Sequence, residues 1–225
     1  MKRQKAIVLL SGGLDSAVTL FYAVKKGYDC QCLVFDYGQR HKQEIKLARR
    51  IAGRAGAKVV IMKLPLPWKG SSLLDKNKAI PVNRSIKEIK KGIPSTYVPG
   101  RNTIFIAVAA SFAEAIGASA VFIGAHFEDS SGYPDCRRDY LQAFGNAIRL
   151  GTKAGREKKL SLKFPLIGKD KAGIIKLGLE LGVPFKLTRS CYQGLRRPCM
   201  KCDSCILRQR GFKRARIKDP ALNMG

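Results

Sequence analysis

The sequence predicts an α/β fold, doubly wound on a mainly parallel sheet, with a small C-terminal zinc-binding segment. Three observations carry this. Short apolar runs alternate with amphipathic stretches at the spacing of βαβ units. The segments richest in Gly, Asp and other polar residues fall directly after the strands, where such sheets bind their ligands. Four cysteines crowd together near the C-terminus, after the alternation has ended.

Ala6-Ile7-Val8-Leu9-Leu10 reads as a buried strand, and a Gly-rich turn separates it from a helix in which Ala17, Leu20, Phe21 and Val24 share a face. Cys30 to Asp36 is the second strand; Cys30 and Cys32 lie on one side of it and read as small core residues. Gln43 to Gly53 predicts a helix with Ile45, Ala48, Ile51 and Ala52 inward, and Ala57 to Met62 a third strand. Residues 64–100 break the pattern. Pro65, Pro67, Pro81, Pro94 and Pro99 punctuate them, and so long a stretch without periodicity reads as a lid or binding loop. Thr103 to Gly117 is a helix, most apolar and so most buried in its first half. Ala120 to Gly124, the fourth strand, runs directly into the loop His126 to Arg137, where Cys136 reads equally as a ligand-lining thiol or a filler. A helix from Tyr140 to Leu150, a fifth strand from Lys159 to Phe164 and a last helix from Lys171 to Leu181, stopped by Gly182 and Pro184, complete residues 1–185 as one domain. Residues 186–225 form the metal-binding segment and a basic tail.

Composition narrows the class. The chain has 225 residues, 45% of them hydrophobic, enough for one sizeable core and inconsistent with disorder. No apolar stretch reaches the ~20 residues that span a bilayer. The basic start, Met1-Lys2-Arg3-Gln4-Lys5, leads into an apolar run too short for a secretory signal and without a cleavage site, so the protein is read as cytoplasmic. With 43 Lys and Arg against 16 Asp and Glu, the net charge of +27 attracts polyanions. It fits at most non-specific association with nucleic acid, fits equally a basic proteome or solvated lysines around an anionic nucleotide site, and says nothing of chemistry. The excess is spread along the chain and is densest between Lys186 and Lys218.

The chemistry is concentrated in Ser11-Gly12-Gly13-Leu14-Asp15-Ser16. A strand, a Gly-rich turn and a helix N-terminus gather free backbone N–H groups and the positive end of a helix dipole around one point, which is a phosphate cradle. Gly12 and Gly13 let the main chain approach the anion, Ser11 and Ser16 add hydroxyls, and Asp15 stands where a carboxylate can hold the magnesium ion that accompanies pyrophosphate. The spacing is not GxxxxGK[ST] and no lysine closes the turn, so a Walker-type loop is excluded. The stretch expected to hold the nucleotide comprises Leu9, Leu10, Ser11, Gly12, Gly13, Leu14, Asp15, Ser16, Ala17, Val18 and Thr19.

The second constellation is Cys191-x7-Cys199-x2-Cys202-x2-Cys205. Two-residue spacers turn neighbouring thiolates onto one tetrahedral ion, as a structural zinc site requires. The x2 spacing also suits an iron–sulfur cluster, but there the fourth cysteine and its proline lie downstream, whereas here the fourth cysteine lies upstream and Pro198 precedes Cys199.

SGGxDS resembles the pyrophosphate loop (PP-loop) of the ATP pyrophosphatases, which cleave ATP between the α and β phosphates. Taken in order with Asp36 to His41 (DYGQRH), Tyr97 to Asn102 (YVPGRN), Ser131 to Arg137 (SGYPDCR), Ser190-Cys191-Tyr192 and Cys199 to Cys205 (CMKCDSC), it resembles the motif series of the 7-cyano-7-deazaguanine synthase family over nearly the whole chain. The chain departs from that pattern at Asp129-Ser130-Ser131-Gly132, where the family usually has Asp-Tyr-Ser-Gly, and at His126, where Asn is common.

The resemblance implies a carbon–nitrogen ligase that converts 7-carboxy-7-deazaguanine and ammonia to the nitrile through the amide. Each of two adenylations consumes ATP and releases AMP and pyrophosphate. It implies Ser11, Asp15, Lys171 and Arg101 as the catalytic set, with Arg101, Asn102, Asp129, Tyr133 and Asp135 against the deazaguanine. ATP, Mg and Zn would be the cofactors, small molecules the partners, and a homodimer the assembly. The alternative is a tRNA-modifying pyrophosphatase that adenylates a base before thiolation or amination. It would account for the charge and the cysteines, but no separate RNA-binding domain or second cysteine pair accompanies it.

Overall fold

The computed structural model describes residues 3–40, 43–126, 132–195 and 197–222. Five strands, β1 (Lys5–Leu9), β2 (Asp29–Asp36), β3 (Lys58–Lys63), β4 (Ala120–Phe122) and β5 (Ser161–Lys163), form one sheet in the order β3-β2-β1-β4-β5. Every pairing is parallel. The helices are α1 (Leu14–Lys25), α2 (Gln43–Arg54), α3 (Ile86–Ile89), α4 (Arg101–Ala115), α5 (Arg138–Gly151), α6 (Lys153–Arg156), α7 (Lys171–Glu180) and α8 (Asp203–Ala215). None is long and apolar enough to cross a membrane.

Strand periodicity assigns β1 to two cores at once. Ala6 and Val8 face a cluster completed by α1, by Ala48, Ile51 and Ala52 of α2, by Ile174 and Ile175 of α7, and by Phe212 of α8. Ile7 and Leu9 face the other layer, where Ile106 and Ala109 of α4 and Leu141 of α5 pack. Ile7 and Leu33 are fully buried, each worth about 1.5–3 kcal/mol of transfer free energy. Cys30 and Cys32 are buried in the first cluster, as expected. From β1 the chain winds outward to β2 and β3, then returns past β1 to β4 and β5. The order therefore reverses between β1 and β4, and a crevice opens at their carboxyl ends.

Three elements differ from expectation. The burial of α4 is centred on Ile106, Ala109, Ala110 and Ala113, so it is not the first half that lies deepest. Lys171 opens the penultimate helix, because α8 starts just after Cys202, carries Cys205 and packs against α7. Its inner face is Cys205, Arg208, Gly211, Phe212 and Ala215, a helical repeat in which an arginine occupies an apolar position. Residues 64–100 contain only α3 but are fastened throughout. Leu66 N donates to Tyr37 O (3.2 Å), Arg40 N to Leu73 O (3.3 Å), and Ser72 N to Ser95 O (2.7 Å).

Candidate active site and metal centre

The turn between β1 and α1 is held from both sides. Gly12 has φ +85°, and a Cβ there would stand 2.6 Å from the Glu44 carbonyl oxygen of α2, so only glycine fits. Its own carbonyl accepts from Arg189 N at 3.0 Å. Ser11 N donates to Ser16 Oγ (3.2 Å), Gly13 N donates to Ser11 Oγ (3.2 Å), and Ser16 Oγ donates to Gly13 O (3.2 Å). Gly13 caps α1 without any side-chain bond, so the backbone donors and dipole of the first turn are left for an anion.

Asp15, in that first turn, meets Lys171, the first residue of α7. Lys171 Nζ donates to both carboxylate oxygens, at 2.8 and 2.9 Å, and a third bond of 2.8 Å runs to His126 Nε2. Burial alone would raise the Asp15 carboxyl, but the Lys171 ammonium and the His126 ring outweigh it and hold the group well below the usual carboxylate range. His126, just beyond β4, is fully buried.

Asp15 and Lys171 line a cavity of about 260 Å³ at the β1/β4 crevice. Its far wall is aromatic: Phe35 and Phe105 stack at 3.9 Å, and Tyr37 meets Phe105 edge-on. Arg101 Nη1 donates to Tyr37 Oη at 3.1 Å. Burial disfavours the Arg101 cation, but Tyr37, Tyr133 and Cys136 favour it more, so its pKa is raised. Tyr133 Oη lies 2.8 Å from Thr96 Oγ1 and 3.5 Å from Tyr192 Oη, which joins the 132–137 loop to the cysteine segment.

The expected site residues fall into three groups. Leu9, Leu10, Ser11, Gly13, Leu14, Asp15, Ser16, Arg101, Asn102, Tyr133, Cys136 and Lys171 all line the cavity. Gly12 shapes it from beneath, whereas Ala17, Val18 and Thr19 are buried in the body of α1, where Thr19 Oγ1 donates to Asp15 O at 2.9 Å. Asp135 does not line it either. Its carboxylate accepts from Asn102 N (2.9 Å) and Asn102 Nδ2 (3.3 Å), so it braces the start of α4. Asp129 and His41 lie outside the described residues. Arg189 and Arg208 also line the cavity and were not anticipated, because in sequence they merge with the surrounding basic residues.

Cys191, Cys199, Cys202 and Cys205 bring their sulfur atoms within 4.8 Å of one another, and Cys199 and Cys205 are 4.0 Å apart. Four thiolates about 2.3 Å from one tetrahedral ion would stand about 3.8 Å apart, so the donor set fits a single ion. The proline-rich segment clasps this cluster. Val82 bridges Cys202, Asn83 N donates to Lys201 O at 2.8 Å, and Arg84 pairs with Asp203, with Nε at 3.0 Å. On the other side the buried Arg208 binds Asp219 through Nε (2.6 Å) and Nη2 (2.9 Å). Its Nη1 reaches Thr188 O (3.2 Å) and Oγ1 (2.9 Å).

The family profile of the queuosine biosynthesis protein QueC matches residues 5–216. A 7-cyano-7-deazaguanine synthase of Thermoplasma volcanium is 48% identical over 96% of this chain and 90% of its own. That of Thermoplasma acidophilum is 46% identical over 98% and 92%. Among solved structures, an NMN synthetase from Francisella tularensis superposes with a TM-score of 0.50 at 16% identity, covering 96% of this chain and 78% of its own, a likeness of fold alone.

Proposed function

The chain belongs to the queuosine biosynthesis protein QueC family, and we propose that it is the ATP-dependent carbon–nitrogen ligase that makes 7-cyano-7-deazaguanine from 7-carboxy-7-deazaguanine and ammonia. The observation that carries this reading is the meeting of Asp15, Lys171 and an uncapped helix N-terminus in one cavity at the sheet's reversal point.

A carboxylate is a poor acylating agent because its oxygen will not leave. Attack of that oxygen on the α-phosphorus of ATP breaks the bond to the β-phosphate oxygen and yields an acyl-adenylate with pyrophosphate. Ammonia then displaces AMP to give the amide. A second adenylation, on the amide oxygen, lets AMP depart as the C≡N bond forms. Charge develops on the departing pyrophosphate in both halves. We assign Ser11, Ser16 and the first turn of α1 to receive it, with Lys171 supplying the cation; their meeting in one cavity supports this. Asp15 is the residue that would hold magnesium, which shields pyrophosphate when bound. Arg101 and Tyr133 face the same cavity and are assigned to the base. At the four cysteines we assign zinc, since an iron–sulfur cluster divides its four thiolates among two or four irons and so holds the set further apart than one ion does. With four protein ligands and no open position, that zinc supplies folding energy.

The test is incubation with ATP, magnesium, ammonium and the 7-carboxy base, followed by mass analysis. Nitrile, AMP and pyrophosphate are expected. ADP and phosphate as the nucleotide products would overturn the assignment.

A further inference from the structure

Lys171 is held more closely than a phosphate-binding lysine on a flexible stem needs to be, and two of the groups that hold it have no other part in the reaction. An ammonium has three donors. Two are spent on Asp15 and the third on His126 Nε2. An entering phosphate can gain a bond from Lys171 only where one of these yields. The Asp15 side chain is 26% exposed toward the cavity and that of His126 only 1%, so Asp15 yields and His126 stays.

The stem of the lysine is confined as well. A Cβ built on Gly211 of α8 would stand 2.4 Å from Lys171 Cγ, 3.0 Å from its Cβ and 2.9 Å from Ile175 Cδ1. Carbon atoms pack at about 3.5–4.0 Å, so any side chain at position 211 displaces the stem by about 1 Å. A misplacement of that size can cost about 100-fold in rate. Gly211 lies in the middle of a helix, where glycine is the poorest choice but proline, and the close approach to Lys171 is what it provides in return.

We infer that His126 and Gly211 are positioning residues for Lys171: the ring nitrogen keeps the ammonium aimed while Asp15 exchanges it for phosphate, and the bare α-carbon fixes its stem. The inference rests on Lys171 as the phosphate-binding cation of the proposed function. It also gives His126 a job that an asparagine can share, since a carboxamide oxygen accepts the same bond.

The experiment is calorimetric titration of metal-replete protein with pyrophosphate, alongside steady-state kinetics. His126→Ala and Gly211→Ala should each weaken pyrophosphate binding tenfold or more and lower kcat, with KM for the base within threefold of the parent. His126→Asn should recover most of the binding. In a Lys171→Ala background neither substitution should have any further effect, because the group they position is gone. Undiminished losses in that background, or parental pyrophosphate binding in both single variants, would overturn the inference. Pyrophosphate coupling without any nitrile product would leave it standing and remove the ligase assignment instead.

Discussion

Truncating Asp219 to alanine should destabilise the protein severely without touching a catalytic group. The carboxylate is 2% exposed and accepts two bonds from Arg208, itself 8% exposed. The remaining guanidinium bonds run to Thr188, to Phe185 O and to Ser190 Oγ, all within the segment that leads into Cys191. Asp219→Ala therefore leaves a buried cation with neutral acceptors only, a situation that costs about 3–5 kcal/mol. Against a total stability of about 5–15 kcal/mol, and at about 2–4 °C per kcal/mol for a chain of this size, the melting temperature should fall by about 6–20 °C. Thermal unfolding followed by circular dichroism, with metal content matched between samples, measures it. Removing both charges in Arg208→Met/Asp219→Leu should restore part of the loss, because no uncompensated ion remains. A drop below about 2 °C for Asp219→Ala, or a double variant worse than the sum of the singles, would refute the reasoning.

Asp15→Asn should lower turnover by about 100-fold or more while the fold is retained, measured as AMP release. The folded Asp15 carboxyl sits below its unfolded value of about 3.9, so its contribution to stability is present above about pH 4 and lost as the pH falls; urea titrations of parent and variant should converge in acid. Gly12→Ala should cost at least about 1–3 kcal/mol for the positive φ alone, and should abolish detectable ATP binding in calorimetry because the Glu44 carbonyl forces the turn to move. Cys202→Ser should lose bound metal, by elemental analysis, and melt earlier; a metal-free variant with parental activity and melting temperature would contradict a structural role. Despite the charge of +27, cognate tRNA and an unrelated RNA of equal length should bind alike and weaken together as salt rises, and a tenfold selectivity would favour a tRNA-modifying role.

What was legible in the sequence follows from how locally it is encoded. Strand β1, the Ser11–Ser16 turn and α1 are contiguous, and apolar periodicity with two glycines suffices to place them. The cysteine spacing likewise carries its own geometry. Helix α8 was missed because cysteine, arginine and glycine hold three of its buried positions, so no apolar stripe appears. The bonds of Asp135 were out of sight for a different reason. A carboxylate in a polar loop looks like a ligand for a base, and only the fold brings the Asn102 N–H to within 2.9 Å of it. The proline-rich segment has no periodicity because its fixation is through backbone bonds and ion pairs to distant residues, as at Arg84 and Asp203.

The hydrogen bond from Arg189 N to Gly12 O has a consequence for how the protein comes into being. The turn to which we assign pyrophosphate joins two elements adjacent in sequence, yet its outer brace is 177 residues further along, and comparably long separations divide Asp15 from Lys171 (156) and Arg84 from Asp203 (119). Contacts this remote form late, since loop closure must precede any gain from them. The β1-α1-β2 unit can settle on local contacts, but the turn stays unbraced until the segment that carries Arg189 has folded back. On the proposed function, a chain cut before Arg189 would keep the residues of the turn but lose its brace, and would not commit ATP.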